Sequence, residues 1–122
     1  MKLSTIYRLT RERMQAQKRT AFGDISPYIC DNIRAIGEAD KVVGAVSADL
    51  LRAKQVIEVR IEGASSLQHW LRNQGHITVT ECRLAGSDFD ISREAVQMRA
   101  KMREYRNAWL IDLENEFAAK GD

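Results

Sequence analysis

His69, His76 and Cys82 lie close together in the chain, with Glu81 beside Cys82 and Cys30 well upstream. Imidazole, thiolate and carboxylate are the ligand types that zinc prefers. The spacing does not fit a structural site, whose ligands come in tight pairs with about two to five residues between them. Here the intervals are longer and unpaired, which reads as a surface His69 on a short helix, a loop His76 after Gly75, and Cys82 as a small buried hydrophobe. Cys82 with His76 is also the only local pairing of a nucleophile with a general base, and nothing in the sequence makes the two face each other. No glycine-rich phosphate loop, Gly-x-Ser-x-Gly or His-Glu-x-x-His occurs,. Asp88 with Asp90 reads as turn chemistry, and Glu114 with Glu116 as the solvated face of a helix. The expectation is a protein that is not an enzyme, with no catalytic residue, no metal and no cofactor. The two cysteines are too far apart for a short-spaced disulfide framework, so reduced thiols are expected.

Cationic side chains carry more information. Lys plus Arg number 19 and Asp plus Glu 17, a formal net charge of +2, far from the balance of a dedicated nucleic-acid binder. The charge is unevenly spread: in residues 1–23 Lys2, Arg8, Arg11, Arg13, Lys18 and Arg19 face Glu12 alone. Arg8, Arg11, Lys18 and Arg19 share one side of the first helical segment, a rod of roughly 28 Å that could meet several phosphates. Aromatic side chains for base stacking are missing from that side, as is a helix-turn-helix signature. Near the other end, Arg99, Arg103 and Arg106 fall within about 60° of one another beside Met98, Met102, Tyr105 and Trp109, an interface-like composition. These seven cations are the candidate partner-binding residues. The plain alternative is that they are solvated charges or partners of acidic groups such as Asp49, Glu58 and Glu62.

The elements that must position these groups read helically. Residues 3–21 place Leu3, Ile6, Tyr7, Met14 and Ala21 on one apolar stripe. Ser26 and Pro27 announce a second helix lined by Ile29, Ile33 and Ile36 and ended by Gly37. A third, starting near Asp40, repeats Ala39, Val43, Val46, Leu50, Ala53 and Ile57 at heptad spacing, as one arm of a helical hairpin. From 55 to 62 the chain also alternates like an exposed strand, and residues 76–80 could pair with residues 56–61 as a hairpin. Ser65 with Gln68 and Thr78 with Glu81 are capping-box signatures, the first opening a short helix that carries Leu67, Trp70 and Leu71 and closes at Gly75. Residues 84–90 form the clearest loop. Ser92 then caps a long helix, with Ile91 and Val96 spaced as a hydrophobic staple, Glu94 in its first turn, and Met98, Met102, Tyr105, Trp109, Leu113 and Phe117 as its buried stripe.

With 122 residues, 44% apolar content and a single proline, the chain fits one helical domain over residues 1–122 with enough apolar content to fold. The expected class is all-α, a bundle of four to six helices with a long C-terminal helix; an α+β fold with the short hairpin is the runner-up. No run approaches a membrane span, and residues 1–10 lack a secretory signal, so no membrane partner and a cytoplasmic location are expected. Two apolar stripes plus Trp70 could bury their surplus in a homodimer.

Residues 99–117 (RAKMREYRNAWLIDLENEF), 67–77 (LQHWLRNQGHI) and 28–33 (YICDNI) resemble a loosely defined group of small proteins encoded by tailed phages and prophages of enteric bacteria. The resemblance covers about two-thirds of the chain and is firmest at Arg106, Ala108, Trp109 and Leu110. It implies an accessory protein in the cytoplasm of the infected cell that binds a host or phage protein to modulate defence or metabolism. It carries no residue role with it. The alternative is a small nucleic-acid-binding protein that uses the basic face of the first helix.

Overall fold

The computed structural model describes residues 1–16, 45–64, 67–86 and 90–122. Five helices run through them: α1 (Leu3–Ala16), α2 (Ala45–Arg60), α3 (Leu67–Asn73), α4 (Val79–Ala85) and α5 (Arg93–Ala119). The fold is all-α, and no strand occurs among the described residues. Several expectations lie outside those residues: the helix opened by Ser26 and Pro27 and its Gly37 cap, the start near Asp40, Ala39, Val43, Ala21, Cys30, Lys18, Arg19, Ser65 and Asp88.

Local chemistry sets the ends of the helices. Thr78 accepts from the Glu81 backbone N–H at 3.1 Å and its own N–H donates to the Glu81 carboxylate at 3.0 Å, the reciprocal box that starts α4,. Ser92 Oγ accepts from Ala95 N–H at 3.2 Å and starts α5, with Glu94 in its first turn,. At the end of α3, Gly75 adopts φ +78°, and the N–H groups of Gly75 and His76 reach back to the carbonyls of Arg72 and Leu71 at 3.0 and 2.9 Å. This paired closure needs a left-handed residue, and glycine takes that conformation without a Cβ penalty.

Residues 55–60 belong to α2, and residues 76–80 form a turn, the Thr78 cap and the first residues of α4. The α+β alternative is therefore corrected. The deciding pattern is burial at intervals of four: Ala53, Ile57 and Ile61 are inside, while Val59, which a strand would bury with Ile57 and Ile61, is 72% exposed,.

α5, roughly 40 Å long, is the spine. Its C-terminal half is gripped by α1 and α2. Tyr7 packs on Phe117 at 5.9 Å between ring centroids and donates its hydroxyl proton to the Ala53 carbonyl at 2.9 Å. Ser4 N–H donates to the Asp122 carbonyl at 2.8 Å, Arg60 pairs with Glu116 at 2.6 Å, and Arg52 pairs with the Asp122 side chain. α3 meets α5 just past the middle of the long helix, through Trp70 on Trp109 at 6.5 Å, and the N-terminal half of α5 is lined by α4 and the turn before it, through His76 on Tyr105 at 6.1 Å and Lys101 with Glu81 at 2.6 Å. Buried side chains from all five helices and the joining turns make one continuous cluster.

Two details of α5 differ from expectation. The Ile91–Val96 staple does not bury its members, for Ile91 is 88% and Val96 48% exposed. The buried stripe is also turned about 40°. It runs through Ala95, Met102, Arg106, Leu110, Leu113 and Phe117, leaving Met98, Tyr105 and Trp109 at its margin. Helices contact α5 from two sides, and the sector between them, rather than the most apolar sector, becomes the inside.

Candidate functional site

That rotation decides what the arginines of α5 can do. Arg106, expected on the surface, is fully buried. Burial and the nearby Arg103 charge push its pKa down to about 10, still cationic at neutral pH,. Arg99 is half-buried and donates from Nη2 to the Asp90 carbonyl at 2.7 Å, so it braces the entry to α5. The Asp90 carboxylate accepts from Ser92 N–H at 2.9 Å, and this hydrogen bond holds its pKa below the usual value. Arg103 is half-buried and makes no ion pair among the described residues.

Arg103 and Arg106 line a groove of about 530 Å³ with Gln15, Ala100, Glu104 and Asn107. The sequence reading missed Gln15, Ala100, Glu104 and Asn107. The signal available was spacing: Val96, Ala100, Arg103 and Asn107 share one side of a helix. Its significance depends on α1 crossing α5 so that Gln15 lies beside the middle of α5.

The basic side of α1 is put to structural use. Arg11 pairs with Glu114 of α5 at 3.1 Å, with both side chains largely covered, and Arg8 pairs with Glu12 one turn along at 3.6 Å. Its two other expected members, Lys18 and Arg19, lie outside the described residues. The structure therefore does not bring the seven cations into one face. It places Arg103 and Arg106 together, Arg99 on the same half of α5, and Arg8 and Arg11 in ion pairs.

No family model matches the chain, and no curated protein or solved structure matches it significantly. The remaining chemistry is to be read from the side chains themselves. His69 and His76 are exposed, Cys82 is buried, and His76 lies against Tyr105, whose hydroxyl donates weakly to the His76 carbonyl at 3.4 Å. Among the described residues no group of three or more His, Cys, Asp or Glu gathers in metal-binding range, and no helix is long and apolar enough to cross a membrane. What the described surface offers is exposed apolar side chains beside guanidinium groups on the N-terminal half of α5.

Proposed function

We propose that this chain is a non-enzymatic binding module whose partner is another protein, docked on the N-terminal half of α5. The observation that carries the reading is the exposure of Ile91, just before α5, and of Val96 in its first turn, 88% and 48%, at the end of α5 that also carries Arg99 and Arg103. Apolar side chains in water beside arginine are the composition of an interface core and its flank. The sequence resemblance supports a phage or prophage accessory protein acting in the host cytoplasm on a host or phage protein. Nucleic acid is the weaker partner, because the carboxylates of Glu114 and Glu12 already occupy Arg11 and Arg8 where phosphates would have to bind,.

The test is affinity capture by the tagged chain from nuclease-treated enteric bacterial lysate, with an Ile91→Ser/Val96→Ser variant and an Arg8→Glu variant alongside. A protein held by the wild type and by Arg8→Glu, and released by the double variant, supports the reading. Recovery of only DNA or RNA before nuclease, lost in Arg8→Glu, overturns it in favour of nucleic acid.

A further inference from the structure

We infer that the groove between the end of α1 and the middle of α5 is a carboxylate-binding site, which takes an acidic side chain of the docked protein on Arg103 above Arg106. This rests on the docking reading above and adds the chemistry the partner must supply. Arg103 stands at the groove wall without an ion pair among the described residues, and Arg106 is buried beneath the same groove. A guanidinium presents a planar fork of N–H donors that matches the two oxygens of a carboxylate, giving paired charge-assisted hydrogen bonds. A second guanidinium held in a low-dielectric floor extends its field into the groove more strongly than one in water.

Arg106 Nη2 also donates to Asn107 Oδ1 at 3.5 Å, and an anion bound on Arg103 meets the field of both cations,. Ala100 is small and leaves the middle of the groove open, while the carboxamides of Gln15 and Asn107 add polar groups at its ends. Glu104, exposed at the rim, selects among anions: its charge opposes a phosphate dianion more than a singly charged carboxylate,.

The inference is tested by titrating the full isotope-labelled chain with the capped tripeptide acetyl-Ala-Glu-Ala-amide and following backbone amide shifts. The Gln version of the peptide and inorganic phosphate are run as separate arms. The expected result is saturable shifts centred on Gln15, Ala100, Arg103 and Asn107 with the Glu peptide, and none with the Gln peptide. Affinity should fall at least tenfold in Arg103→Gln, fall less in Arg103→Lys, which keeps charge but loses the fork, and hold in Arg83→Gln on the exposed side of α4. Unchanged affinity in a folded Arg103→Gln, equal binding of the Gln peptide, tighter binding of phosphate, or an absence of shifts each overturns it. Because the probe is a defined peptide, the outcome is separable from the docking reading. A protein partner retained by Arg103→Gln but lost by Ile91→Ser/Val96→Ser would leave docking standing and this inference refuted.

Discussion

The two halves of α5 are one continuous helix and yet have different environments. The C-terminal half is tied across to its neighbours: Leu110, Leu113 and Phe117 are inside, and Glu114 and Glu116 pair with Arg11 and Arg60. The N-terminal half is met, among the described residues, by α4 and, toward the middle of α5, by α3, two helices of seven residues each, and Val96 and the preceding Ile91 are exposed there. Short helices have little intrinsic stability, and theirs depends on caps and on the surface they cover. The C-terminal half holds the molecule together, while the N-terminal half leaves Ile91 and Val96 exposed.

Substitutions in the two halves should therefore differ in kind. The largest effect is expected from Phe117→Ala, which empties a buried site against Tyr7 and should cost about 3–5 kcal/mol, read as a fall in the urea midpoint. A cost under about 1 kcal/mol would show that α1 is not seated on this half. On the N-terminal half, Thr78→Ala removes the α4 capping box and should cost about 1 kcal/mol, with hydrogen exchange accelerating first at Glu81 and Cys82. If exchange in α1 speeds up equally, the halves are one cooperative unit and the contrast fails.

Tyr7→Phe sharpens the comparison at one atom. Burial raises the phenol's pKa, and its proton donated to the Ala53 carbonyl should be worth about 1 kcal/mol,. The remaining ring should still pack on Phe117, so near-ultraviolet circular dichroism of the other aromatic groups is expected to persist.

Acid probes the same half. The hydrogen bond from Arg60 holds the Glu116 carboxyl down to about 2, against an ordinary value of 4.5, with Lys120 adding to it. Because the folded state binds this proton less readily than the unfolded chain, the contribution is fully present above about pH 4.5 and is lost as pH falls through about 2,. Glu116→Gln should flatten the stability profile in that window; an unaltered slope would show that the Arg60 pair does not persist in solution. The smallest stability effect belongs to Ile91→Ser/Val96→Ser, expected within about 0.5 kcal/mol of wild type because neither side chain is buried. Those substitutions should instead abolish partner capture, and a marked loss of stability would mean that these residues serve the fold.

Much of this architecture was legible from neighbouring residues. Thr78 with Glu81, Ser92 with Glu94, and Gly75 after a short apolar run are local signals, because each cap is made within about one turn of backbone. Leu3, Ile6, Tyr7 and Met14 likewise announced the inner side of α1, and they are buried. The strand alternative at residues 55–62 was open because both periods fit a short apolar run, and packing of Ala53, Ile57 and Ile61 on one side resolved it for the helix,.

What the sequence by itself determined was the helix caps and the length of the last helix, since these follow from propensity, periodicity and hydrogen bonds made nearby, while packing closed the choice between all-α and α+β. Tertiary structure decided which sector of α5 faces inward. Hydropathy favoured the Met98, Tyr105 and Trp109 side, but a helix approached from two directions buries the sector between its neighbours, and that sector contains Arg106. The same packing turned Arg11 from a phosphate-facing cation into the partner of Glu114 and set Gln15 beside Arg103. The members of each pair are too far apart along the chain for periodicity to relate them, and only the meeting of α1 with α5 brings them together.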